Sequence, residues 1–151
     1  MNDLHKQGRH SGATDTPGLD ELHGRWARRL ARAWADSVRR GAEMTPEPML
    51  VIANRNIEVI ADGICGTATI SIGAARSGTQ RKFVNWISGR TTTGFPPPLH
   101  ARRKPGHGGY HVVITIHGQS LERNICTACH FARALAAIGG LEEVIVTSYV
   151  D

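Results

Sequence analysis

Long apolar runs are missing from this sequence. No stretch of the 151 residues approaches the roughly 20 consecutive apolar residues that a membrane-spanning helix needs. Residues 1–18 are polar, rich in His, Gly and Thr, and contain no apolar core of a signal peptide. We therefore expect a disordered lead-in over residues 1–18, a single domain over residues 19–151, no membrane partner and a cytoplasmic location.

Cysteine is also scarce, and its count is odd. The three cysteines fit no disulfide scaffold, which favours a reducing compartment. Charge is unbalanced instead, because 18 Lys and Arg residues against 13 Asp and Glu residues give a formal net charge of +5. This excess predicts an anionic partner such as a nucleic acid or nucleotide, with a protein partner as the alternative.

The first structured segment is predicted to be an amphipathic helix from Pro17 to about Arg40. Its apolar residues recur at three- and four-residue steps and form one stripe, namely Leu19, Leu22, Trp26, Leu30, Ala33 and Val38. Six arginines lie mostly off this stripe, namely Arg25, Arg28, Arg29, Arg32, Arg39 and Arg40. This arginine face is a solvated outer surface, a phosphate-contacting surface, or a surface for an acidic membrane or protein.

Alternating and β-branched runs predict the strands of the domain. Residues 49–53 and 57–61 read as a β-hairpin, and residues 110–117 and 144–150 as two further strands. An Ala- and Leu-rich run predicts a helix from Asn124 or Ile125 to about Ile138. A strand, a helix and a strand in succession predict parallel neighbours joined by a right-handed crossover, and hence an α/β fold.

Residues 64–73 fit two structures equally well. Ile64, Ala68 and Ile72 would share one face of a helix, whereas Ala68, Ile70 and Ile72 alternate as in a strand. A long loop over residues 89–109 follows a short amphipathic piece and contains three consecutive prolines.

The predicted second helix carries a Cys-x-x-Cys motif. Cys126 and Cys129 are three residues apart, so both sulfurs lie on one side of the helix. Two such thiolates can bind Zn²⁺ if the fold supplies a third ligand, and Cys65 is the only other cysteine. The alternatives are small buried thiols and a redox pair.

The layout resembles the zinc-dependent cytidine and nucleobase deaminase superfamily, with its closest local match in the DYW-type domains of organellar RNA-editing proteins and a further similarity to toxin-type deaminase domains. The matching stretches are residues 65–73 (CGTATISIG) and 124–130 (NICTACH). The resemblance implies a cytidine-deaminase-like α/β/α layer with a mixed sheet of four to five strands. It also implies that Cys65, Cys126 and Cys129 hold Zn²⁺, whose bound water deaminates a base in a nucleic acid or nucleotide.

One position departs from that family. The glutamate that shuttles the proton is replaced by Thr67, and a threonine hydroxyl does not titrate near neutral pH. Three explanations remain open: another carboxylate (Glu58, Asp62 or Glu122) reaches the site, the activity has been lost or changed, or the glutamate was replaced to silence a toxic enzyme.

Substrate contacts are expected from basic residues near the long loop. We assign this role to Arg102, Arg103, Lys104 and His111, which would meet the phosphates or the base. The alternative function is a zinc-stabilised module without catalysis that binds nucleic acid or a protein.

Overall fold

The structure is a computed structural model that describes residues 18–53, 55–89, 101–103 and 110–150. The predicted lead-in up to residue 17 and most of the predicted loop, including Lys104, lie outside the described residues. Within these ranges, three helices and six strands follow one another as α1 Leu19–Glu43, β1 Met49–Ala53, β2 Asn56–Ile60, β3 Gly66–Ile72, α2 Gly78–Gly89, β4 Ala101–Arg103, β5 Tyr110–Ile114, α3 Leu121–Gly139 and β6 Val144–Val150.

The predicted amphipathic helix is confirmed as α1, which runs three residues beyond Arg40. Its stripe buries Trp26, Leu30 and Trp34, while most of its arginines are exposed. The sequence predicts that Gly41 ends this helix, but Gly41 lies in its last turn, where the absence of a side chain lets α1 approach α3 closely. The helix ends when Met44 becomes extended.

The ambiguous segment is a strand, β3, and it forms the centre of the main sheet. The four strands lie in the order β4-β5-β3-β6, and every pairing is antiparallel. Strands β5 and β6 therefore run in the same direction, but β3 lies between them. The prediction of parallel neighbours and of a mixed sheet is wrong, because β3 pairs with both strands that flank α3.

All three helices lie on one side of the main sheet. Helix α3 packs on β3 and β6, and α1 packs on α3. The ring of Phe83 in α2 packs edge-on against Trp26 of α1, with the centroids 5.1 Å apart. The mixed α/β class is confirmed, but within the described ranges the helices do not cover both faces of the sheet, as an α/β/α layer requires.

The alternation in β3 defines an inner and an outer face of the main sheet. Ala68, Ile70 and Ile72 are fully buried against the helices, whereas Thr67, Thr69 and Ser71 are half-exposed on the opposite side. We call this second side the outer face. It carries the polar half of the strand pattern, and it remains accessible in the part of the chain that the structure describes.

The predicted hairpin is confirmed as a separate two-stranded sheet of β1 and β2. Its register brings Leu50 opposite Val59 and Ile52 opposite Ile57, so these four side chains share one face. Each of them is between 61% and 75% exposed. None of the described helices has the length and apolar content to cross a membrane.

Candidate functional site

The three cysteines do not occupy the positions that a shared zinc site requires. Cys65 makes a single bridge to Ser120 just before β3, so it lies at the start of a strand and not of a helix. Its thiol points to the Gln119 amide oxygen, with 3.4 Å between sulfur and oxygen. The deaminase resemblance implies a helix at the first zinc ligand, but the strand β3 follows Cys65 instead.

The Cys-x-x-Cys pair lies on α3 as predicted, but not in its first turn. The helix begins at Leu121, so Cys126 and Cys129 follow more than one turn later, where the helix dipole stabilises thiolates less. Both are half-buried, and neither forms a disulfide. Cys129 lines a cleft beside Val144 and Val146 of β6.

A metal site of the predicted kind is not assembled by the residues that the structure describes, which include all three cysteines. No three His, Cys, Asp or Glu side chains among them form a group suited to a metal ion. The residues present therefore do not fit a three-cysteine zinc centre in this conformation, and we derive no catalytic step from one.

The carboxylates considered as substitutes for the missing glutamate have other surroundings. Glu122 accepts a hydrogen bond from the Glu47 backbone N–H at 2.7 Å. Asp62 lies 3.8 Å from the Arg123 guanidinium, and Glu58 is exposed on the hairpin. Thr67 faces solvent on β3, opposite Tyr149.

The outer face gathers several of the predicted substrate-binding positions. His111 shares a shallow pocket of about 240 Å³ with Thr69, Ser71, Val113 and Tyr149. Arg102 is opposite His111 in the β4–β5 ladder, so its position belongs to the same face. Arg103 is opposite Tyr110, so its position belongs to the inner side of the sheet.

The outer face carries hydroxyl groups and two exposed aliphatic side chains, Val113 and Ile145, but it is not acidic. Strands β3, β5 and β6 contain no Asp or Glu at all, and Thr147 and Tyr149 continue the row of hydroxyl groups onto β6. Tyr149 is 60% exposed, which leaves its ring free to receive a flat ligand. The alternation of residues in β6 is visible in the sequence. It could identify this row of hydroxyl groups only once the structure showed which face of the sheet is buried.

A buried polar junction holds the start of α3 against β3. The Asn124 side chain accepts a hydrogen bond from the His117 N–H at 3.2 Å. Its amide group donates to the carbonyls of Gly66 and Gly118, both at 3.1 Å. In the sequence Asn124 stands only as part of a family motif, and this role could not be predicted because Gly66 lies 58 residues away along the chain.

His117 is the titratable member of this junction. Its Nε2 lies 2.8 Å from the Thr127 hydroxyl, between α1 and α3. Burial and, to a smaller extent, the positive charge of Arg123 lower the pKa of His117 below its ordinary value of 6.5. A structural role, rather than a substrate contact, follows from this position.

The stability of the fold is expected to fall as the pH drops below about 6.5. The unfolded chain takes up a proton on His117 first, because its pKa is the higher one, so each step down in pH favours the unfolded state. Urea unfolding at pH 7.5 and 5.5 measures the loss, and it should be smaller in His117→Gln. An unchanged pH dependence in that variant would assign the effect to other groups.

No family model, curated protein or solved structure matches this chain. The deaminase resemblance and the zinc ligands therefore stay predictions. The proposed function therefore rests on the geometry of the described residues, and the outer face is the surface on which His111 and the position of Arg102 lie together.

Proposed function

We propose that this protein binds single-stranded nucleic acid on the outer face of its main sheet. The observation that carries the proposal is an exposed tyrosine, Tyr149, on an open sheet face rich in hydroxyl groups and free of carboxylates. Binding, rather than deamination, is the activity that this geometry supports. The formal charge of +5 favours the same class of partner.

Stacking on Tyr149 is the first element of the proposed mode. Exposed aromatic rings on a sheet face take unpaired bases, and such stacking contributes about 1 to 3 kcal/mol per base. Only unpaired bases present their faces in this way, which is why a single strand fits better than a duplex.

Phosphate contacts form the second element. Arg102 and His111 occupy facing positions on β4 and β5, on the far side of β3 from Tyr149. His111 is opposite Ser71 and Tyr149 is opposite Thr67, so they are four residues apart along β3. That is roughly 13 Å along the strand and roughly 10 Å across the sheet, enough to reach different nucleotides. The absence of acidic residues from β3, β5 and β6 removes repulsion along this path.

We expect Tyr149→Ala to weaken binding of a fluorescein-labelled oligothymidylate or oligouridylate of about 12 nucleotides by about 10- to 100-fold. Fluorescence anisotropy at low salt measures the affinity. Tyr149→Phe should retain most of it, because the ring remains. Val150→Ala is the matched control, since Val150 is also exposed but its position belongs to the opposite side of β6.

Two further results separate this proposal from its competitors. Arg102→Ala should reduce the slope of log affinity against log salt by about one, as expected for one lost phosphate contact. Equal binding by Tyr149→Ala and the unchanged protein would contradict the proposal. Mass spectrometry of a cytosine-containing oligonucleotide after incubation tests deamination directly, and a deaminated product would favour the enzyme instead.

A further inference from the structure

A groove runs along the seam between α1 and α3. Its floor is aliphatic and consists of Ala33, Ala134, Ala137 and Ile138, while Arg29, Arg32 and Asp36 stand at its sides. Its volume is about 530 Å³, within the range of sites that bind ligands. The small alanine side chains leave this space where two helices would otherwise close against each other. We call it the α1–α3 groove.

The charge of the groove is positive because Asp36, the only carboxylate among the described residues that line it, is already engaged. Asp36 accepts hydrogen bonds from both Arg39 and Arg40, which lower its pKa. Arg29 and Arg32, in contrast, make no ion pair or hydrogen bond within the described ranges. Two guanidinium groups are thus left without compensation above an apolar floor.

We propose that the α1–α3 groove docks an acidic amphipathic helix of a partner protein. The aliphatic floor would receive the apolar side chains that such a helix presents at three- and four-residue steps. Arg29 and Arg32 are three residues apart on α1, hence on one side of it, and each can form a bidentate pair with a carboxylate flanking those side chains. The positive charge of the groove and its aliphatic floor therefore both fit an acidic amphipathic helix.

A nucleic acid matches this groove less well than a protein helix. Its phosphates would satisfy the two arginines, but Ala33, Ala137 and Ile138 offer no aromatic surface on which a base can stack. The groove is also a different surface from the outer face, because α3 and the sheet lie between them. The docking proposal therefore does not depend on the proposed nucleic-acid binding.

A designed peptide tests the docking proposal on the full chain. The probe is a fluorescein-labelled peptide of about 16 residues with Leu on one helical face, Glu on its flanks and Ala elsewhere. We expect saturable binding at low salt, followed by fluorescence anisotropy. The double variant Arg29→Glu with Arg32→Glu should weaken binding by about tenfold or more, because attraction becomes repulsion.

Three controls make the result specific. Arg28→Glu reverses a neighbouring exposed charge that does not line the groove. This variant should therefore change binding less than threefold. Ala137→Phe fills the groove without altering charge and should also weaken binding by about tenfold. Tyr149→Ala should leave peptide binding unchanged, and thermal melting confirms that each variant is folded.

Several outcomes would overturn the proposal. Equal losses in Arg28→Glu and in the double variant would show attraction by overall charge alone. Equal binding of a peptide with Lys in place of Glu would show that the arginines do not recognise carboxylates of the peptide. Saturable binding of oligothymidylate that the double variant abolishes, with no binding of the peptide, would assign the groove to nucleic acid.

Discussion

Asn124→Asp is expected to lower the free energy of unfolding by at least about 3 kcal/mol at neutral pH. The side chain is fully buried, and its amide nitrogen donates to two carbonyl oxygens, those of Gly66 and Gly118. The aspartate would place an oxygen without a proton against both carbonyls and bury its negative charge. The hydrogen bond from the His117 N–H is the only one of the three that an ionised carboxylate can keep.

The pH dependence of this variant identifies the cause of the loss. Burial without a cationic partner raises the pKa of a carboxyl, so the variant should regain stability relative to the unchanged protein when the pH is lowered and the carboxyl becomes neutral. Asn124→Ala serves as the control, because it removes the same hydrogen bonds without introducing a charge and should show no such recovery. Urea unfolding at pH 7 and pH 4.5 measures both variants. Stability equal to that of the unchanged protein in Asn124→Asp would refute the role assigned to this junction.

Gly41→Ala is expected to lower the free energy of unfolding by about 2 kcal/mol, although alanine is the better helix former. A Cβ atom at this position would overlap the Thr127 hydroxyl and the His117 ring, and it would lie 2.9 Å from the Arg123 carbonyl oxygen. Because that carbonyl is backbone, rotation of side chains alone cannot make room. The last turn of α1 would have to move away from α3.

Gly24→Ala is the matched control, since Gly24 lies in the same helix. A Cβ atom there meets only the end of the Arg28 side chain, at 3.5 Å. The substitution should raise the free energy of unfolding by about 0.5 to 1 kcal/mol through helix propensity. Thermal or urea unfolding of the two variants should give shifts of opposite sign. Stabilisation by both substitutions would mean that α1 and α3 are not in close contact at Gly41.

The periodic elements could be predicted from the sequence because local burial determines them. The apolar stripe of α1 and the alternation of β6 place both elements within a few residues of their ends in the structure. Residues 64–73 could not be decided in the same way, because Ala68 and Ile72 fit a helix face and a strand face alike. What decides is pairing with β5 and β6, which are distant in sequence and invisible to local pattern.

The candidate site was predictable only in part, for a related reason. Spacing correctly places Cys126 and Cys129 on one helix, but it says nothing about where Cys65 lies relative to them. His111 and Arg102 were selected by charge and do share the outer face, whereas Tyr149 was not selected. Its importance depends on exposure, which follows from the helices covering only the inner face. The α1–α3 groove likewise depends on packing between segments some hundred residues apart.

The hairpin has a consequence for motion rather than for binding. Strands β1 and β2 contact mainly each other, and a two-stranded sheet on its own is marginally stable in water. Its backbone amides should therefore exchange with deuterated solvent through local opening, long before those of β3 do so. We therefore expect β1 and β2 to separate and re-form while β3 and α3 stay folded.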